Sequence, residues 1–184
     1  VSIDPATFAR LREIADELSA LPAKPRVEIG PQGLVMMTSP TTPHGFTAMN
    51  LARQVMAQTP DMYALMDTDM QDAVLGRLRV PDVMVLPEDL IEEQPEEAVD
   101  PRAVALVIEV VSRSNPENDH RDRIADYSAM GIPLYLIVDP GRGTAQVLEE
   151  PDGATYRKIR TFDYGQEVPV GRWLIDTGRF PRYR

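Results

Sequence analysis

The sequence predicts a single α/β domain over residues 1–184, with a mixed central sheet, helices on both sides and a C-terminal set of antiparallel strands. Three observations carry this reading. Two nearly continuous apolar runs, Ala103–Val111 and Leu134–Val138, have the valine-rich texture of strands covered on both faces. An amphipathic stretch, Asp119–Met130, separates them, with Ile124 and Tyr127 on its inner face and Gly131 and Pro133 as the stop. Downstream, runs at Ala145–Leu148, Thr155–Arg160 and Trp173–Ile175 alternate with glycine-containing turns, the pattern of short antiparallel strands.

The earlier elements follow in order. Asp4-Pro5 is an N-cap followed by proline at the first helical position, and Phe8, Leu11, Ile14, Ala15 and Leu18 continue at helical spacing. Pro22 and Pro25 end that helix. Val27–Ile29 and Leu34–Met37 flank Gly30-Pro31-Gln32-Gly33 and predict a hairpin. Thr42-Pro43-His44 reads as the cap and first turn of a second helix running to about Gln58, with Phe46, Met49, Ala52 and Met56 as its apolar face. Tyr63–Met66 and Leu78–Leu86 read as strands. Glu88–Asp100 holds seven acids and no basic residue, which predicts an exposed excursion, and Ser112–Asn118 predicts a loop.

Composition narrows the chemistry. Apolar residues make up 43% and charged residues 26% of the 184, which suits a folded globular chain. There is no cysteine, and His44 and His120 are the only histidines, so cysteine zinc sites, iron–sulfur clusters, thiol nucleophiles and histidine-rich metal sites are excluded. A metal here needs oxygen ligands. No apolar run approaches the ~20 residues of a membrane-spanning helix and no signal-peptide pattern opens the chain, so the expectation is a cytoplasmic protein without membrane contact. The net charge of −10 opposes indiscriminate nucleic-acid binding. Without the seven acids of Glu88–Asp100 it is −10 + 7 = −3, and Arg113, Arg121, Arg123, Arg179, Arg182 and Arg184 leave room for a local basic rim.

One residue stands out chemically. Glu109 interrupts the apolar strand, and an unpartnered buried carboxylate costs several kcal/mol, so it must be paired, protonated or bound to a cation. Asp82, in Arg79-Val80-Pro81-Asp82-Val83-Met84-Val85, is a second carboxylate among apolar residues. Two carboxylates on adjacent strands can share one divalent ion with hard oxygen ligands, the Mg²⁺ pattern. Arg123 borders the buried face of its helix, where it either reaches this pair or forms a surface pair with Asp119 or Asp126. Ser112 and Ser114 lack a helpfully placed histidine and read as loop and capping residues rather than nucleophiles.

The ordered set Pro81-Asp82-Val83, Val107-Ile108-Glu109-Val110-Val111-Ser112-Arg113-Ser114-Asn115, then Asp119, Arg123, Tyr127, Gly131-Ile132-Pro133 and Tyr135–Pro140 resembles the Uma-two restriction-endonuclease family. Val27-Glu28, Gly33-Leu34-Val35, Pro40 and His44 fit the same pattern, so the likeness spans most of the chain. The resemblance implies a PD-(D/E)XK nuclease fold, a mixed sheet flanked by helices, and a carboxylate-bound Mg²⁺ or Mn²⁺ that cuts phosphodiester bonds, with DNA as the substrate. It implies Asp82 and Glu109 as catalytic and metal-binding acids, with the Val111 main-chain carbonyl completing the metal shell. Glu28 and His44 match family positions near the cleft, where they would hold a water or a substrate phosphate, and a solvated strand glutamate and a helix-start histidine stand beside that reading; Tyr127 reads as a core residue whose hydroxyl meets a carboxylate. The lysine expected two residues after the glutamate is replaced by Val111, and the helical position that supplies it in this family is Arg123.

That departure has chemical content, because arginine stays protonated and can orient a nucleophile or stabilise an anion but cannot take a proton. With two lysines, Lys24 and Lys158, against seventeen arginines, the exchange is also compatible with coding bias. The reading is therefore a Mg²⁺-dependent endodeoxyribonuclease with arginine for lysine. A nuclease fold kept as a catalytically impaired binding or assembly module and a hydrolase of small phosphate esters stand beside it. Duplex cleavage favours a homodimer, for which the apolar content of the first helix offers an interface.

Overall fold

The computed structural model describes residues 2–23, 25–37, 39–112 and 118–183, and of 118–120 the backbone alone. Helix α1 (Pro5–Ser19) starts at the predicted cap, where Asp4 Oδ1 accepts the N–H of Thr7 at 3.0 Å. Strands β1 (Arg26–Gly30) and β2 (Gly33–Met37) form the predicted hairpin, and Gly33, at φ 113°, supplies the left-handed residue that the turn needs. Helix α2 spans Thr42–Gln58. Strands β3 (Met62–Leu65), β4 (Met70–Asp72), β5 (Arg77–Arg79), β6 (Val83–Pro87) and β7 (Leu106–Val110) follow. Helix α3 (Asn118–Ala129) leads to β8 (Leu134–Asp139), β9 (Thr144–Pro151), β10 (Tyr156–Asp163), β11 (Glu167–Val170) and β12 (Trp173–Asp176).

The strands form a six-stranded mixed sheet in the order β10-β9-β8-β7-β6-β3, a four-stranded antiparallel sheet β2-β1-β5-β4 and the small pair β11-β12. Within the six-stranded sheet β7 and β8 run parallel, joined through α3, and the other neighbours are antiparallel. All five residues of β7 are buried, as a strand with both faces covered requires. On one face Ala48, Leu51, Ala52 and Val55 of α2 pack with Val83, Ile108, Val110 and Leu136, joined by Trp173 and Ile175. On the other, Tyr127 and Met130 pack with Met84, Val107, Tyr135 and Ile137. Burying a leucine such as Leu51 or Leu136 completely contributes ~2–3 kcal/mol. Helices on both sides of a mixed sheet are the predicted fold class.

Several details differ from the sequence reading. The predicted strand Leu78–Leu86 is two strands in two sheets, because Pro81 lacks the N–H that a continuous ladder needs and the chain bends at Asp82. Helix α2 is capped at Thr41 rather than Thr42, and it turns a different face inward: Phe46 and Met49 are 50% and 58% exposed. The acidic excursion is mostly exposed, but its end tucks in, with Val99 buried and bridged to Met70. Of the C-terminal antiparallel strands, β9 and β10 extend the main sheet, as an antiparallel extension predicts, while β11 and β12 form a separate pair. The apolar stripe of α1 is already used, since Phe8 and Ala15 are buried and Leu11 and Leu18 pack with Val27, Ile29 and Leu78. That removes the interface argument for a homodimer. The Ser112–Asn118 loop lies largely outside the described residues, as do Arg113, Ser114 and Arg184. No helix among the described residues is long and apolar enough to cross a membrane.

Candidate active site

Strand β6 begins at Val83, whose antiparallel partner on β7 is Ile108. One further step along that register sets Asp82 opposite Glu109, in the bend before β6 rather than in the strand. The Asp82 carboxylate is 3% exposed, and its Oδ2 accepts the N–H of Val110 at 2.8 Å. Its Oδ1 accepts from Arg26 Nη1 at 3.1 Å and lies 3.0 Å from His44 Nε2, without the alignment of a hydrogen bond. Arg26 also pairs with Asp67. Burial works against the charge on Asp82, but His44, the Val110 N–H and Arg26 outweigh it and hold the carboxyl down at about 2.

Glu109 points to the α3 side of the sheet. Its Oε1 accepts from Tyr127 Oη at 2.6 Å and from Arg123 Nη1. Its Oε2 accepts no hydrogen bond from the described residues. Burial pushes this carboxyl up to about 8, opposed by Arg123 and reinforced by Asp82 and Glu28. Arg123 and Tyr127 are one helical turn apart and therefore share a face of α3. Arg123 is buried rather than on the surface, at 4% exposure, and its Nη2 donates to Glu28 Oε2 at 3.1 Å; the Asp119 side chain lies outside the described residues. Burial drives the Tyr127 hydroxyl well above its ordinary range, so it remains a donor.

Glu28 on β1 is completely buried. It also accepts from Arg79 Nη1 at 2.8 Å and from the N–H of Val80 at 2.9 Å. Arg79 in turn donates Nε to Asp126 Oδ2 at 3.0 Å, and Arg77 donates Nε to Asp126 Oδ1 at 2.8 Å. Thus Glu28, Asp82, Glu109 and Asp126 meet four guanidinium groups, those of Arg26, Arg77, Arg79 and Arg123. Of the ways a buried carboxylate can be accommodated, pairing is the one seen here: Arg26 pairs with Asp82, and Arg123 with Glu109. Arg26, Arg77 and Arg79 escaped the sequence reading as site residues, and Asp126 entered it only as a surface partner of Arg123. The available signal was Arg77-Leu78-Arg79, which places two cations on one side of a short strand, and Asp126, which follows Arg123 by three residues.

The donor set suits a hard divalent cation. Asp82 and Glu109 supply carboxylate oxygens, and Glu109 Oε2 accepts no hydrogen bond from the described residues. Among the described residues no three histidine or acidic side chains cluster closely enough to hold an ion. A cavity of about 390 Å³ elsewhere is lined by Asp72, Val74, Pro95, Glu97 and Arg102, and by none of the candidate residues.

A solved structure from Anabaena variabilis ATCC 29413, titled a putative nuclease belonging to DUF820, superposes with a TM-score of 0.66 at 18% identity. The match covers 85% of this chain and 88% of that one, which shows a shared fold. No curated protein matches the chain. Residues 15–174 match the model of the Uma2 family, described as "Putative restriction endonuclease", a span holding every residue of the arginine–carboxylate cluster, and the chain belongs to that family.

Proposed function

We propose that the protein hydrolyses phosphodiester bonds in DNA with Mg²⁺ or Mn²⁺ held by Asp82 and Glu109 and the Val111 carbonyl. The observation that carries this reading is that two buried carboxylates, Asp82 one residue before the paired part of β6 and Glu109 on neighbouring β7, lie near each other, and Glu109 Oε2 accepts no hydrogen bond from the described residues. A bound divalent ion supplies Lewis-acid polarisation of the phosphate and a lowered pKa for a coordinated water. Asp82 is held ionised and oriented by Arg26 and the Val110 N–H, which fixes one ligand before any substrate arrives. The fixed Arg123 guanidinium donates to anionic oxygen and orients it, and it takes no proton. Tyr127 fixes the rotamer of Glu109 through its hydroxyl. His44, beside Asp82, is placed to hold a water or a phosphate oxygen.

A second reading is favoured by one observation: Arg123 already occupies Glu109 Oε1, as in a site that binds without turnover. Plasmid nicking decides between them. The parent is expected to nick with Mg²⁺ or Mn²⁺ and stop with EDTA, while Asp82→Ala is inactive. Equal nicking by parent and Asp82→Ala refutes the assignment. A gain in Arg123→Lys identifies the natural arginine as an impairment.

A further inference from the structure

Arg79 and Asp126 make no described contact with Asp82 or Glu109, yet we propose that they are the positioning residues for Arg123, setting its guanidinium through Glu28. The inference rests on the reading that Arg123 acts on the substrate phosphate.

The contacts close a ring. Arg123 of α3 donates to Glu28 of β1, and Glu28 accepts from Arg79 of β5. Arg79 donates through Nε and Nη2 to Asp126, which lies three residues beyond Arg123 on the same helix. Asp126 has its other oxygen taken by Arg77, and Glu28 has its other oxygen taken by the Val80 N–H. No member of the ring can turn without breaking a second bond. Because the ring leaves α3 at Arg123 and returns at Asp126, it fixes the helix along its axis as well as in rotation. The same phase brings Tyr127 to Glu109.

Adhesion alone does not account for this construction. The ring is buried, with Glu28 at 0%, Arg79 at 2% and Asp126 at 6% exposure. Buried ion pairs hold elements together no better than apolar contacts of the same size, since desolvation consumes the Coulombic gain. Helix α3 already has apolar anchors in Ile124 and Tyr127. What charged, bidentate contacts add is direction: a long, rotamer-rich arginine held at one defined place.

A double-mutant cycle on the full chain tests the proposal. Asp126→Asn and Arg79→Lys are each expected to slow plasmid nicking ~10- to 100-fold, the usual effect of removing a group that orients a site residue. In an Arg123→Lys background the same changes are expected to matter less than about threefold, because the group they act through is gone. Equal fold losses in both backgrounds, or none in the parent, overturn the proposal. Arg79→Lys keeps the charge and stands in if Asp126→Asn does not fold.

The second readout does not depend on cleavage. In ¹⁵N-arginine NMR, the Arg123 guanidinium is expected to show hindered rotation in the parent and averaged signals in both variants, with unchanged fluorescence from the single tryptophan, Trp173. An Arg123 signal that stays hindered in both variants overturns the proposal. A parent that nicks nothing refutes the phosphodiesterase reading by itself, and the NMR comparison then decides the positioning role.

Discussion

Replacing Glu109 with glutamine should remove most of the pH dependence of stability between pH 5 and 8. In the folded chain burial holds the Glu109 carboxyl at about 8 against an ordinary 4.5. Below pH 4.5 both folded and unfolded chains carry the proton, and the group is neutral to stability. Between 4.5 and 8 the unfolded chain releases the proton while the folded one keeps it, so stability falls as pH rises. Each tenfold difference in proton affinity is worth ~1.4 kcal/mol, which sets a ceiling of about 5 kcal/mol lost by pH 8. Glutamine keeps an acceptor oxygen for Arg123 and Tyr127 but does not titrate. Asp82, held at about 2, acts below this window, and Asp69, raised by burial, is common to both proteins. The assay is urea unfolding in EDTA, followed by Trp173 fluorescence from pH 5 to 9. The stability difference between Glu109→Gln and the parent should grow by a few kcal/mol across the window, in favour of the variant. A difference that stays constant with pH refutes the burial argument. Mg²⁺ at about 100 times its Kd should add ~2.7 kcal/mol to the parent and little to the variant.

Other expectations concern the scaffold. Leu136→Ala empties a position with no solvent exposure between α2 and the sheet and should cost ~2–5 kcal/mol in urea unfolding. Asp4→Ala removes the cap on the Thr7 N–H and should lower Tm measurably, recovered by Asp4→Ser. Gly171→Ala should lower Tm measurably, since Gly171 has φ 55° and an added Cβ lies 2.5 Å from Leu134 Cδ1.

The parts of the fold set by local chemistry were legible. The Asp4 cap, the Gly30–Gly33 turn and the two valine-rich strands act through neighbours in sequence, and each appears where its residues place it. The inward face of α2 was not legible, because hydrophobicity selects Phe46 and Met49 while packing selects the small Thr47, Ala48 and Ala52, which let the helix approach the sheet. The break at Pro81-Asp82 was hidden by the apolar residues on either side, which belong to different sheets. In the site, Glu109 and Asp82 were visible as charges in apolar surroundings. Their arginine partners were not, since Arg26 lies 56 residues from Asp82, and Arg79 lies 51 from Glu28 and 47 from Asp126. Only tertiary structure sets such pairings.

Tyr127 shows how the carboxylate cluster divides its labour. Its ring packs edge-on against Tyr135 at 4.9 Å between centroids, while its hydroxyl donates to Glu109 Oε1 and stands 3.4 Å from Arg123 Nη1. One oxygen of Glu109 therefore holds the side chain still, and the other accepts no hydrogen bond from the described residues. Tyr127→Phe separates the two functions, because the ring remains and only the hydroxyl is lost. Losing one buried hydrogen bond should cost ~0.5–1.5 kcal/mol in unfolding at pH 7, where the buried Glu109 keeps its proton. Arg123 still holds Oε1, so nicking should fall severalfold without being abolished. Stability equal to the parent would show that the hydroxyl does not restrain Glu109. Inactivity as complete as that of Asp82→Ala would move Tyr127 from a holding role into the chemistry itself.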